Sequence, residues 1–204
     1  MSAAHASEPF PSACAPAEPF PSACAPAEPS RPRVLRLRDG SRVSVRAASA
    51  ADEPALGVLL KGLGEEARRL RFFTAAVDLS GAAHHVASTD AGRFGLVAHD
   101  ETGLPVGHAL YARLAEPTRA EVAVEVADHL HGRGLGTQLI AALATVAERH
   151  GITRFVAEVL PENHAMLAVF RDGFDARCAV RDGVEMVEFP TAAWRLAGER
   201  FGAH

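Results

Sequence analysis

The sequence predicts an α/β domain built on a single mixed, mostly antiparallel sheet with flanking helices. Short segments in which apolar residues alternate lie on both sides of longer segments whose apolar residues recur at helical spacing. Polar, glycine-containing turns such as Asp39-Gly40 and Arg181-Asp182-Gly183 join neighbouring alternating segments, as in hairpins. The length of 204 residues and the 48% hydrophobic content are typical of one globular domain with an appendage.

The appendage is an N-terminal tail, residues 1–30, which is predicted to be disordered. The segment Glu-Pro-Phe-Pro-Ser-Ala-Cys-Ala-Pro-Ala occupies residues 8–17 and recurs unchanged at residues 18–27. A short duplication rich in proline and alanine cannot bury an apolar core. The folded domain is therefore expected to comprise residues 31–204.

The first half of the domain contains a hairpin, helices and three strands. Residues 34–37 and 42–46 alternate around Asp39-Gly40. Ser49 is a candidate N-cap for the next helix, which ends near Gly62 and Gly64. The predicted helices span residues 51–61, 65–73 and 79–87, and the strands that follow span residues 93–98, 104–114 and 119–127.

In the second half the apolar period changes from two to that of a helix. Residues 138–150 carry leucine, isoleucine and valine at helical spacing, and Gly151 suits the end of that helix. The remaining predicted elements are a strand at residues 154–160, a helix at 163–172, strands at 174–180 and 184–189, and a terminal helix at 191–200.

The turn His-Gly-Arg-Gly-Leu-Gly-Thr, residues 131–137, joins the strand at 119–127 to the longest of these helices. Glycines let the backbone approach a ligand closely, and the helix directs unpaired N–H groups at the turn, so it predicts an anion site. It is not a P-loop, because Gly136 stands where a lysine must precede Thr137. It also lacks the third glycine of the dinucleotide fingerprint, since Thr137 occupies that position.

Residues 120–174 resemble the acetyl-CoA-binding core of the GNAT acyltransferase superfamily. The signature Gln/Arg-x-x-Gly-x-Gly/Ala is matched by Gly134 and Gly136, with His131 in the first position. Asn163 and the pair Gly173-Phe174 match a second landmark of the superfamily. Segments at residues 37–43, 69–73, 120–124 and 165–171 are similar to the bacterial Pat-type protein lysine acetyltransferases.

The resemblance implies the GNAT fold, acetyl-CoA as co-substrate and no metal. It implies that the central strand pairs with the pantetheine arm, that the glycine-rich turn holds the pyrophosphate, and that Asn163 and Arg171 lie along the cofactor's other side. Arg133 is either a phosphate ligand or a solvated loop residue. The implied cofactor-binding residues are Val124, Glu125, Val126, His131, Gly132, Arg133, Gly134, Leu135, Gly136, Thr137, Asn163 and Arg171.

A general base is needed because a lysine amine, with a pKa of ~10.4, is protonated at neutral pH. Strand periodicity places Glu121, Ala123 and Glu125 on one face of the central strand. The resemblance assigns the base to Glu121, and Glu125 stands roughly 13 Å along the strand, so both cannot take the same proton. Many relatives have a tyrosine as general acid where this chain has Phe170, which leaves the protonation of the thiolate open.

The preferred reaction is direct transfer of an acetyl group from acetyl-CoA to an amine, with a protein lysine as acceptor. A small-molecule amine is the alternative acceptor. A catalytically weak acyl-CoA-binding module is the alternative function, suggested by His131 and Phe170. The oligomeric state is left open.

Composition argues against other classes of function. The tail holds three glutamates and no arginine or lysine, so of the net charge of −4 the domain retains little, which gives no indication of nucleic-acid binding. No apolar run reaches the ~18 residues of a membrane span, and no secretory signal is seen, so a cytoplasmic location is expected. The three cysteines lack Cys-x-x-Cys spacing, which gives no indication of a metal site.

Overall fold

The computed structural model describes residues 32–73, 83–84, 87 and 92–195. Within these residues the strands are β1 (Arg33–Arg36), β2 (Arg42–Ala47), β3 (Arg93–His99), β4 (Pro105–Arg113), β5 (Arg119–Val126), β6 (Arg154–Val159), β7 (Arg177–Arg181) and β8 (Val184–Pro190). The helices are α1 (Glu53–Gly62), α2 (Glu65–Phe72), α3 (Leu135–Arg149) and α4 (His164–Phe174). Short 3-10 turns precede α1 and the glycine-rich turn, and another follows β8.

The eight strands form one sheet in the order β1-β2-β3-β4-β5-β6-β8-β7. The pair β5–β6 is parallel and the other six pairs are antiparallel. The parallel pair arises because α3 carries the chain from β5 back to the start of β6, as a crossover between parallel strands requires. The predicted fold class, a single mixed and mostly antiparallel sheet with flanking helices, is confirmed.

Helices cover both faces of the sheet because the strands bury side chains in both directions. On one face α3 and α4 pack against alternate residues of the strands, including Ala120 and Val122 of β5. On the other face α1 packs through Leu56, Leu59 and Leu60 against Val97 of β3. The α2 helix lies on this second face with no fully buried residue, and its Ala67 and Phe72 are partly buried against the same apolar cluster.

The predicted elements agree with the structure apart from their ends and one segment. The strand predicted at residues 174–180 is wrong at its start: Phe174 is the last residue of α4, and β7 begins at Arg177. Helix α4 continues that far because Phe174 is fully buried, and it ends at Asp175 in the left-handed conformation (φ 52°).

Parts of other predictions lie outside the described residues. These parts are the N-terminal tail with its duplication, most of the helix predicted at residues 79–87, and the end of the helix predicted at residues 191–200. Among the described residues, none of the helices has the length and apolar character required to cross a bilayer.

Candidate active site

The candidate site opens where β5 and β6 separate. Their parallel pairing covers three residues and ends at Glu121 opposite Val156. Strand β5 continues to Val126 and β6 to Val159, and β6 keeps its pairing with β8 over that stretch. The edge of β5 over residues 122–126 therefore borders a cleft in which an extended ligand can add to the sheet.

The glycine-rich turn lies at the end of this edge. Gly132 and Gly134 adopt positive φ values of 73° and 86°, which a side chain would strain. Gly134 is the N-cap of α3, and its carbonyl oxygen accepts a hydrogen bond from Gln138 N at 3.1 Å. The N–H groups of Leu135, Gly136 and Thr137 thus form the first turn of a 15-residue helix, where an anion is stabilised.

Some of the predicted cofactor-binding residues have buried side chains and others have exposed ones. Val124, Leu135 and Thr137 are buried, so these residues have only backbone groups to offer a ligand. His131 is exposed, and its Nε2 lies 2.8 Å from the carbonyl oxygen of Val126. That contact ties the start of the turn to the end of β5.

Arg133 is the predicted phosphate contact whose environment the structure defines best. Its Nη1 lies 2.6 Å from Asp39 Oδ2, in the turn between β1 and β2. Hydrogen bonds from Ser41 together with the Arg133 guanidinium hold the pKa of Asp39 below its usual value. The charge of Arg133 is therefore already matched by a carboxylate 94 residues away in the sequence.

Asn163 and Arg171 lie at opposite ends of α4. The side chain of Asn163 caps the helix, because its Oδ1 accepts a hydrogen bond from Met166 N at 3.1 Å. Arg171, eight residues later and roughly 12 Å along the axis, pairs with Glu185 of β8 at 3.1 Å. The two residues therefore do not meet at one point, and their contact with the cofactor stays a prediction.

Glu121 lies on the face of β5 that points away from α3, level with the last β5–β6 pair. Its side chain is exposed to the cleft, yet surrounding protein removes part of its solvent shell, and this partial burial raises its pKa. The nearby Glu158 carboxylate raises the pKa further, while the guanidinium groups of Arg71 and Arg93 lower it. A carboxylate with a raised pKa is a stronger base, as proton abstraction from an amine requires.

Glu125 shares that face of β5 but has a different environment. It is 5% exposed, and its carboxylate is hydrogen-bonded to Arg71 Nε at 2.9 Å and to His108 Nδ1 at 2.8 Å. Burial alone would raise the pKa of Glu125, but the Arg71 guanidinium and the His108 ring outweigh it and hold the pKa at about 2. A carboxylate this acidic, with both oxygens engaged, is poorly suited to accept a proton from an amine.

Sequence reasoning missed Arg71 and His108. His108 is fully buried on β4, directly opposite Glu125, and its Nε2 has no hydrogen-bond partner among the described residues. A Cβ on Gly95 would lie 3.1 Å from that Nε2, so glycine leaves room for the ring. The sequence signal that could have indicated this pair is a histidine, His108, in an apolar strand next to the strand that carries Glu125.

No tyrosine stands where many relatives have the general acid, because Phe170 occupies that position. Phe170 is buried in the core, where its ring packs 5.4 Å from that of Phe189. The one tyrosine in the sequence, Tyr111, lies with its hydroxyl 2.5 Å from His150 Nδ1, just beyond the far end of α3, and burial raises its pKa to about 12. A thiolate with a pKa of ~8.5 can leave without such an acid.

Comparison with known proteins agrees with this geometry. Residues 62–174, more than half of the chain, match the sequence profile of the acetyltransferase (GNAT) family. The solved GNAT domain of S. lividans PAT is 32% identical with a TM-score of 0.71, over 78% of this chain and 96% of that domain. A cAMP-binding acyltransferase from Mycobacterium smegmatis is 27% identical with a TM-score of 0.56, over 78% of this chain and 47% of that one.

Among curated proteins, the acetyltransferase Pat of Mycolicibacterium smegmatis is 49% identical over 49 residues. The matched segment is 24% of this chain and spans 15% of the length of that relative. The similarity to Pat proteins therefore concerns the acetyltransferase domain.

Proposed function

Because the chain belongs to the acetyltransferase (GNAT) family, we propose that its acetyl acceptor is the ε-amine of a protein lysine. Membership of the family supports an N-acetyltransferase activity with acetyl-CoA as the donor. The observation that carries the choice of acceptor is the similarity to the PAT domain, which extends over 96% of that domain at 32% identity.

The donor is proposed to bind along β5. The pantetheine arm adds to the edge at residues 122–126, and the pyrophosphate lies against the N–H groups of residues 132–137. Two findings support this placement: the separation of β5 from β6 after Glu121, and the positive φ values of Gly132 and Gly134 beside the α3 N-terminus. The thioester would then lie near the point of separation.

Glu121 is proposed as the general base. It removes a proton from the lysine ammonium, directly or through a water molecule, and the free amine attacks the thioester carbonyl. The C–N bond forms and the C–S bond breaks, the new amide nitrogen releases its second proton to solvent, and the coenzyme A thiolate takes up a proton from solvent. The difference between the two carboxylates of β5 supports this choice, since Glu121 is exposed to the cleft with a raised pKa and Glu125 is buried in ion pairs.

An acceptor screen tests the proposal. The protein is incubated with acetyl-CoA and either a set of folded bacterial proteins or a panel of small amines, and products are identified by mass spectrometry. We expect acetyl-lysine on proteins at rates well above the uncatalysed background. Transfer confined to small amines would contradict the protein acceptor and favour the alternative, and coenzyme binding without any transfer would favour a weak acyl-CoA-binding module.

A further inference from the structure

The turn between β1 and β2, residues 37–41, packs directly against the glycine-rich turn. Arg38 N donates a hydrogen bond of 3.1 Å to the carbonyl oxygen of Arg133. Gln138 Nε2, in the first turns of α3, donates to the carbonyl oxygen of Arg36 at 2.9 Å. With the Arg133–Asp39 ion pair, these contacts fix the tip of the hairpin beside the start of α3.

The side chain of Arg38 lies on Gly134. A Cβ at Gly134 would lie 3.4 Å from Arg38 Nε, 3.6 Å from its Cγ and 3.7 Å from its Cδ. The guanidinium group, which contains Nε, is therefore within a few ångströms of the residue that caps α3. Arg38 is also an exposed residue.

Arg38 and Arg133 both contact the region where the hairpin meets the glycine-rich turn. Arg133 is committed to Asp39 at 2.6 Å, and this pairing neutralises the one carboxylate of the hairpin turn. Arg38 brings a second guanidinium to the side of the turn on which the capping glycine lies. An anion held by the N–H groups of Leu135, Gly136 and Thr137 would lie beside that guanidinium.

We propose that Arg38 binds the diphosphate of acetyl-CoA together with the N-terminus of α3. A guanidinium presents a planar fork of N–H donors that matches two phosphate oxygens, and charge-assisted hydrogen bonds of this kind are the stronger ones. The hairpin thus contributes a binding residue, and the Arg133–Asp39 pair holds the hairpin in position. This inference rests on the proposed placement of the coenzyme at the glycine-rich turn.

The test measures the affinity of the 204-residue protein for coenzyme A and for 3′-dephospho-coenzyme A by isothermal titration calorimetry. The variants are Arg38→Gln, Arg38→Lys and, as a matched control on the same hairpin, the exposed Arg42→Gln. We expect Arg38→Gln to weaken both ligands by the same factor, roughly tenfold, as loss of a charge-assisted contact implies. Arg38→Lys should keep part of the affinity, and Arg42→Gln should bind within twofold of the wild type.

Three results would overturn the inference. The first is that Arg38→Gln binds both ligands within twofold of the wild type, and the second is that it loses affinity for coenzyme A alone, which would assign Arg38 to the 3′-phosphate. A loss of equal size in Arg42→Gln would show a structural effect of the hairpin. Failure of the wild-type protein to bind coenzyme A would instead contradict the placement of the coenzyme itself, so the two failures are distinguishable.

Discussion

Arg71 of α2 donates a hydrogen bond of 2.9 Å from its Nε to Glu125 Oε2 of the central strand. This ion pair links the helix to the sheet, in addition to the packing of Ala67 and Phe72 against the apolar cluster that contains Val97. Arg69 of the same helix pairs with Glu162, just before α4, at 2.8 Å. Two arginine–glutamate pairs therefore help to hold α2 in place, one with a buried carboxylate and one exposed.

Replacing Glu125 with glutamine should destabilise the fold. The substitution removes the buried negative charge and leaves Arg71 and His108 without their carboxylate. Breaking a buried pair in this way costs about 3 kcal/mol in the free energy of unfolding, measured by denaturant titration. The matched control is Glu121→Gln on the same strand face, which should change the free energy of unfolding by less than about 0.5 kcal/mol, since that side chain is exposed.

Similar unfolding free energies for Glu125→Gln and wild type would contradict a structural role for the Glu125–Arg71 pair. This result would also leave open which of the two carboxylates of β5, Glu121 or Glu125, is the general base.

The stability of the wild-type protein should fall in acid. The pKa of Glu125 is about 2 in the folded state and about 4.3 when the chain is unfolded, so its stabilisation is complete above pH ~5 and is lost as the pH falls toward 2. Asp52, paired with Arg46, also has a pKa lowered to about 2 and adds to the same loss. Denaturant titration at pH 7 and pH 3 measures the loss, and Glu125→Gln should reduce it; an equal loss in both proteins would contradict the assignment.

Glu158→Gln should move the pH dependence of the rate. Glu121 must be ionised to act as a base, so the rate falls as the pH drops through its pKa. The Glu158 carboxylate raises that pKa, and its removal should shift the acid limb of kcat/KM to lower pH, while Arg71 and Arg93 still lower it. An acid limb that stays in place, or moves to higher pH, would show that Glu121 does not control it.

The architecture followed from sequence because it depends on local signals. The alternation in β5, Asp39-Gly40 in the first hairpin and Gly151 after α3 all have the predicted roles. The error at Phe174 has a local cause as well, because an apolar residue before a polar turn suits both a helix end and a strand start.

The chemistry of the site depends on contacts between distant residues. Glu121 and Glu125 occupy equivalent positions in an alternating pattern, and they differ because Arg71, 54 residues away, and His108, 17 residues away, form hydrogen bonds with the second. The ion pair between Arg133 and Asp39 could likewise not be predicted from the sequence, because the two residues are 94 positions apart. The resemblance to the family indicated Glu121 as the base, and the packing around Glu125 supports that proposal.

The most direct test of the account is the turnover of Glu121→Gln at neutral pH with a lysine acceptor found in the screen. Loss of a general base lowers kcat by about 100-fold or more. The dissociation constant for acetyl-CoA should stay within about twofold, because Glu121 is not expected to contact the coenzyme. A Glu121→Gln protein that turns over at the wild-type rate would contradict the assignment of the base.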